Sequence, residues 1–361
     1  MPFWAPLALT GTAATLLGLP VLPALYELKK RRDAGPLPTS RHDGRIGNFA
    51  ETFQARLEPL RAQLDLCCDK REIKRTSIDG MEVLLAGMED FDFDSSLMQG
   101  VAAIMCGQSG MVPAGRVVDA DIYANGTLRV EANAAVRAAR ATENIMLAQG
   151  STVLRWLHCE ACVYLCAGST AYGRLSAGQS IYLERGAGFE RMHAPQIFTV
   201  EPGQDSSTPQ RSFFWEDPNG HEATRDIADD SAPAARRRVF VKGDFVLRAG
   251  ETLRGNVIAT GKLLVETGAH LFGSAKSYRD TTIEDDACIH GSLVCGGSVR
   301  LGARSQISGP VMAEDEVLMA TGTSIGRIDS PTTVSSRIAI VASQCQLYGT
   351  VWARERGIVG D

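Results

Sequence analysis

Residues 245–325 read FVLRAGETLRGNVIATGKLLVETGAHLFGSAKSYRDTTIEDDACIHGSLVCGGSVRLGARSQISGPVMAEDEVLMATGTSI. Every sixth residue from Leu247 onward is aliphatic or small, and the series taken in threes separates into columns. These columns are Leu247, Val265, Ile283, Leu301 and Met319; then Leu253, Leu271, Ile289, Ile307 and Ile325; and a narrow third, Ala259, Ser277, Cys295 and Ala313. The period is therefore eighteen residues, divided into three sides of six.

This period predicts an all-β fold, a β-solenoid. Alternate side chains of a strand share one face, and residues two before most column positions, such as Val257 and Leu263, are also apolar. Coils about 4.8 Å apart pair their backbones and stack equivalent residues. A glycine suits the corner after the second column, and it occurs at Gly255, Gly273, Gly291 and Gly309. A fixed repeat is a stronger fold signal than local propensity.

An earlier region, residues 101–201, follows the same template. Its columns are Leu147, Leu165 and Leu183; Val153, Ala171 and Phe189; and a narrow third, Cys159, Ala177 and Pro195. We therefore predict two β-helical blocks, 101–201 and 238–353, followed by a tail at 354–361. A break at 330–333 displaces the last coil, so that Leu347 follows Ile325 in the second column.

A polar insert rich in proline and aspartate separates the blocks at residues 202–237. It is predicted to be a long excursion from one corner of the solenoid. Phe213, Phe214 and Trp215 within it are candidates for a contact with a partner protein, and docking onto a face of the solenoid is the alternative.

Residues 3–26 carry no charge and have the length of a membrane-spanning helix. The basic residues 29–32 that follow place the rest of the chain in the cytoplasm by the positive-inside rule. We assign residues 1–32 to a single-pass anchor and its basic flank, at an inner membrane. A cleaved signal peptide is the alternative.

Residues 33–100 are predicted to hold a linker and a juxtamembrane amphipathic helix. Apolar residues recur there at helical spacing, at Phe49, Phe53, Leu57, Leu60 and Leu64. Such a helix packs either on its own chain or against a partner helix.

The net charge of −5 over 361 residues indicates no broad basic surface for nucleic acid. Nine cysteines without a regular disulfide framework favour a reducing compartment. His158, Cys159, Cys162 and Cys166 have metal-like spacing, but Cys159 belongs to an inward column, so we do not expect these groups to converge.

Enzyme signals are weak. The six-residue period also occurs in hexapeptide acyltransferases, which need a loop histidine as general base. His221 is the loop candidate, whereas His270 and His290 are expected on sides of the coil. Walker, dinucleotide-binding and G-x-S-x-G motifs are absent from the sequence. We predict no catalytic residue, no cofactor and no metal ligands.

Arginines recur in the earlier block. Arg137, Arg155 and Arg191 are expected at one position of the coil, with Arg174 nearby. Stacked coils would align them into a basic stripe for an acidic partner or an anionic polysaccharide. The alternative is solvated arginines that pair with neighbouring glutamates.

The column-x-Gly-x-aliphatic rhythm of Leu253-Arg-Gly-Asn-Val257 and Ile289-His-Gly-Ser-Leu293 resembles the bactofilins, bacterial polymer-forming cytoskeletal proteins. The likeness is greatest over residues 239–353. It implies a right-handed triangular β-helix, assembly without nucleotide, membrane association, and a scaffolding role for cell-wall or exopolysaccharide enzymes. Typical bactofilins are short with one central block, so the second block and the insert depart from the family pattern.

These features together predict a membrane-anchored scaffold in the cytoplasm. Such a chain would associate with itself, or organise an inner-membrane polysaccharide synthase or other envelope proteins. Two alternatives stay open: a hexapeptide-type acyltransferase that modifies a polysaccharide, and a periplasmic carbohydrate-binding β-helix.

Overall fold

The computed structural model describes residues 46–88, 91, 93, 95–201 and 238–360, together with isolated positions between 4 and 26. Most of the expected anchor at 3–26, and Phe213, Phe214 and Trp215 of the insert, lie outside the described residues. Among the residues that are described, no helix is both long and apolar enough to cross a membrane. Residues 46–361 form one compact unit, and residues 1–45 form another.

The amphipathic helix is present as two short helices joined by a 3-10 turn. The elements are α1 (Asn48–Leu57), the 3-10 turn (Glu58–Leu60) and α2 (Arg61–Lys70). Phe53, Leu57, Leu60 and Leu64 are buried, whereas Phe49 is 47% exposed. The buried face packs on the solenoid, where the rings of Phe53 and Trp156 meet edge to face at 5.3 Å. The helix therefore packs on its own chain. A later short helix is α3 (Ser95–Met98).

The first group of strands, β1–β13, forms what we call the N block. Its strands are β1 (Ile73–Ile78), β2 (Met81–Ala86), β3 (Ala103–Cys106), β4 (Gly110–Val112), β5 (Val117–Ala124), β6 (Leu128–Val130), β7 (Ala135–Ala141), β8 (Ile145–Leu147), β9 (Thr152–Cys159), β10 (Cys162–Leu165), β11 (Thr170–Ala177), β12 (Ser180–Glu184) and β13 (Gly188–Val200). Strand pairing thus begins at Ile73, upstream of the boundary predicted at residue 101.

The second group, β14–β30, forms the C block. Its strands are β14 (Arg238–Val241), β15 (Phe245–Leu247), β16 (Thr252–Arg254), β17 (Asn256–Ala259), β18 (Leu263–Val265), β19 (His270–Phe272), β20 (Ala275–Ser277), β21 (Thr281–Ile283), β22 (Cys288–Ile289), β23 (Leu293–Cys295), β24 (Val299–Leu301), β25 (Gln306–Ile307), β26 (Val311–Ala313), β27 (Glu316–Met319), β28 (Ser324–Ile325), β29 (Thr332–Val341) and β30 (Gln346–Val359).

The β-solenoid prediction is confirmed. The described strands wind into about 13 turns with equivalent residues about 18 apart. Parallel pairing aligns the second column of the C block, and this alignment continues across the displaced last coil to Leu347. In the N block, Leu147, Leu165 and Leu183 are likewise aligned. One continuous hydrophobic core runs through both blocks.

The third column of the N block departs from the prediction at its last member. Ser176 pairs with His193, so Ala194 and not Pro195 stands opposite Ala177. Ala194 is fully buried, while Pro195 is exposed. The cause is an irregularity in the pairing: Ala171 pairs with Phe189 but Arg174 pairs with Arg191, so the segment after Phe189 is one residue shorter and equivalent residues are seventeen apart from there on.

The two blocks meet tail to tail. Strands β13 and β30 pair antiparallel from Gly188↔Ile358 to Phe198↔Gln346, which covers a whole coil. Thr199 reinforces this joint, because its hydroxyl donates to the carbonyl of Ala342 (2.6 Å) and accepts from the amide of Cys345 (2.8 Å). Residues 354–359, predicted to be a tail, are instead part of β30 and help to join the blocks.

This arrangement explains the length of the insert. Strand β13 ends at the joint, but β14 is separated from the joint by β17, β20, β23, β26 and β29. At about 4.8 Å per coil, residues 202–237 connect points about 30 Å apart along the solenoid. The described residues on either side of the insert, Glu201 and Arg238, therefore lie at opposite ends of the C block, while the excursion predicted at residues 202–237 lies outside the described residues.

Candidate functional site

The four arginines of the predicted stripe do not form one column. Arg174 and Arg191 are paired in register, and Trp156 occupies the same position in the preceding coil. Arg137 and Arg155 lie at the irregular corner just before that position, where the pairing skips. Although Arg137, Arg155 and Arg191 are spaced by multiples of eighteen residues, the four arginines occupy two different positions of the coil.

Three of the four guanidinium groups contact other parts of the chain. Arg137 pairs with Asp121 (Nε to Oδ1, 2.7 Å) and with Asp119 (Nη1 to Oδ1, 3.4 Å). The guanidinium of Arg174 lies 3.8 Å from the ring centroid of Phe49 in α1, and that of Arg191 lies 5.0 Å from Trp352 in the C block. Arg155 is exposed. These contacts give Arg137, Arg174 and Arg191 structural roles, and binding of an acidic partner stays a prediction.

His158 lies beside the arginine corner, and in the part of the chain that the structure describes it is not grouped with other metal-type ligands. Its Nδ1 lies 2.8 Å from the hydroxyl of Ser176. Burial, followed by the charge of Arg140, lowers the pKa of His158 to about 4, and Glu160 acts against this shift. The imidazole is therefore neutral near pH 7. Cys159 is fully buried in the core, so it points away from the outer surface.

A second cluster lies on the outer face of the C block and was not predicted. The ligand-type atoms of His270, Cys288 and His290 all lie within 4.8 Å of one another, and this is the one group of its kind among the described residues. The thiol sulfur of Cys288 lies 3.5 Å from Nε2 of His290. Cys288 is buried, and both histidines are partly exposed.

Strand register brings this cluster together. His270 of β19 is the direct partner of Cys288 in β22, one coil further on. Their neighbours Leu271 and Ile289 are buried in the core, so strand alternation directs His270, Cys288 and His290 outward. His270 and Cys288 are eighteen residues apart and each precedes an inward residue. The sequence repeat could therefore have predicted that they meet on the outer face.

Neighbouring rings fix the orientation of His290. The ring of Phe272 stacks on it with centroids 4.0 Å apart and planes inclined by 6°. Arg254 covers Phe272 in turn, with its guanidinium 4.7 Å from the ring centroid. Burial, then His270 and Arg254, lowers the pKa of His290. Burial raises the pKa of the Cys288 thiol to about 11.

No protein-family model matches the chain, and no curated protein or solved structure is significantly similar to it. The likeness to the bactofilins therefore rests on the repeat pattern, and it remains a resemblance.

Proposed function

We propose that this chain is a membrane-anchored scaffold of the bacterial cell envelope, whose rigid solenoid lies in the cytoplasm and associates with a second copy. Its role is to hold envelope proteins, such as a polysaccharide synthase, at fixed positions along a rod. The observation that carries this proposal is a difference between the two ends of the solenoid.

Among the described residues, one end of the solenoid is open. Within residues 238–360, the first-coil strands β14, β15 and β16 each pair with a single neighbour. Val239 and Phe245 are only partly buried, whereas their partners one coil inward, Val257 and Leu263, are almost fully buried. Phe240 is 59% exposed. Unpaired strand edges beside apolar side chains favour pairing with another chain.

The opposite end is closed. Phe91 and Phe93 are buried in the core cluster, and their rings meet edge to face at 4.9 Å. Strand β1 pairs antiparallel with β2 and carries the charged residues Lys74 and Arg75 on an exposed strand. Charged edge strands oppose further pairing.

One open end per molecule favours a dimer rather than a filament. A two-fold axis perpendicular to the solenoid would stack the two first coils in antiparallel orientation, with one of the strands β14–β16 opposite its own copy and the other two exchanged. The β13–β30 joint shows that coil ends of this chain form such pairing. A filament would need a second open end. The proposal thus keeps self-association from the bactofilin resemblance and replaces polymerisation by a closed pair.

The dimer is tested by charge at the open end. Phe240 and Met312 belong to one outward column, in which Lys276 already stands. Phe240→Lys adds a charged side chain to the strand edge that would pair and is expected to give monomers, whereas Met312→Lys, four coils away, is the matched control. Light scattering gives the mass of the particle and so distinguishes a monomer from a dimer.

Electron microscopy gives a second test. About 13 turns at about 4.8 Å each correspond to a rod of about 60 Å for one chain and about 120 Å for a pair. A monomeric unmodified chain would rule the dimer out.

The anchor rests on the uncharged segment 3–26 and the basic residues 29–32. Leu16→Lys with Leu17→Lys is expected to release the chain from the membrane fraction, because lysine at the centre of a span costs about 3 kcal/mol. Leu37→Lys in the linker is the control and should not change fractionation. A periplasmic enzyme reporter fused after residue 361 should be inactive. An active reporter would overturn the cytoplasmic orientation.

A further inference from the structure

We propose that His270, Cys288 and His290 form a zinc-binding site on the outer face of the C block. This site is independent of the scaffold proposal, because it requires neither the open end nor the membrane anchor.

The size of the cluster fits zinc. Zinc lies about 2.3 Å from a thiolate sulfur and about 2.0–2.1 Å from an imidazole nitrogen in tetrahedral geometry, which places sulfur and nitrogen about 3.6 Å apart. The Cys288 sulfur and Nε2 of His290 are 3.5 Å apart. His270 brings the third ligand atom within 4.8 Å of both. To complete a trigonal face, the His270 nitrogen must come to about the same distance from both of these atoms.

The solenoid holds the ligands in place before the metal arrives. His270 and Cys288 are register partners on adjacent coils, and Cys288 and His290 flank the buried residue Ile289. The stack of His290 on Phe272 restricts the imidazole ring. Ligands carried on rigid strands, with one ring fixed by packing, lose little freedom on binding.

The ligand set narrows the choice of metal. Two imidazoles and one thiolate suit zinc, and they also suit copper, but they disfavour calcium and magnesium, which prefer oxygen ligands. Three protein ligands leave one coordination position, and the partial exposure of both histidines directs it toward solvent. Zinc sites that keep an open position bind a water molecule or an exogenous ligand there. The site therefore supplies a zinc ion able to accept a fourth ligand from water or from a bound partner.

The test uses the purified full chain, stripped with a chelator and titrated with zinc chloride in a calorimeter. One zinc per chain is expected. Cys288→Ser and His290→Gln should each weaken binding at least tenfold, while Cys295→Ser, a buried thiol in the same block, should leave it unchanged. Cobalt provides an independent readout, because a thiolate ligand gives a near-ultraviolet charge-transfer band that Cys288→Ser alone should remove.

Three results would overturn the proposal. The first is the absence of zinc binding to the unmodified chain, which requires no variant to fold. The second is binding that survives both Cys288→Ser and His290→Gln in proteins whose circular dichroism is unchanged. The third is binding of copper but not zinc at the same residues.

Discussion

Arg191 and Trp352 face each other across the joint of the two blocks: their backbones are register partners, and the guanidinium lies 5.0 Å from the indole ring centroid. Trp352 is 44% exposed, so this cation–π contact is expected to contribute about 0.5–1 kcal/mol. A double-mutant cycle of Arg191→Ala and Trp352→Ala, measured by denaturant unfolding, should return a coupling of that size. Trp352→Phe, which keeps a ring, should retain most of it, and additive effects of the two alanines would refute the contact.

The joint is also sensitive to a single methyl group. A Cβ on Gly357 would lie 2.1 Å from Cε2 of Phe189, which is almost fully buried. Gly357→Ala is therefore expected to destabilise the protein by about 1–3 kcal/mol through overpacking. Thermal unfolding measures this, and Phe189→Leu should recover part of the loss in the double variant. Gly360→Ala meets nothing within 4 Å and is the control; equal effects of Gly357→Ala and Gly360→Ala would contradict the steric argument.

Acid should destabilise the protein through His158. Burial lowers the pKa of His158 to about 4 in the folded chain, from the ordinary histidine value of 6.5. The unfolded chain therefore takes up this proton first, and stability falls as the pH drops from about 6.5 to about 4, by up to about 3 kcal/mol. Below that range the contribution is constant. His158→Gln should flatten the pH dependence of the unfolding free energy in this window, and parallel curves for both proteins would argue against a buried neutral histidine.

The packing of α1 on the solenoid should depend more on Phe53 than on Phe49. Phe53 is buried against Trp156, whereas Phe49 is half exposed over Arg174. Phe53→Ala is expected to cost about 3 kcal/mol, and Phe49→Ala about 1 kcal/mol or less. Hydrogen exchange in α1 and α2 should accelerate far more in Phe53→Ala. The same exchange rates in both variants would mean that the helix is not held by its buried face.

The sequence predicted the columns because the inward side chains of a solenoid repeat with the coil. Leu253, Leu271 and Ile289 could thus be aligned without a structure, and so could Leu347 after the break. It did not predict the register after Ala171. A corner that loses one residue leaves the residue types on both sides unchanged, and only the backbone pairing reveals the slip.

The tail-to-tail order of the blocks was not predictable from the columns. A column of aliphatic residues has the same composition in either direction along the solenoid, so the sequence does not distinguish a continuous stack from a reversed one. The His270–Cys288–His290 cluster was missed for another reason. Metal ligands are usually recognised in a sequence by their short spacing. His270 and Cys288 are instead separated by a full coil of eighteen residues, and strand pairing brings them together.

The antiparallel joint also fixes the order in which the molecule can be completed during synthesis. The N block precedes the C block in the chain and can fold first on the ribosome, but its final coil then awaits β30, the last strand in chain order. A chain that ends before residue 346 would lack β30, so β13 and β29 would both lose their partner at the joint. The loss of this one strand would therefore expose an edge of each block to proteases.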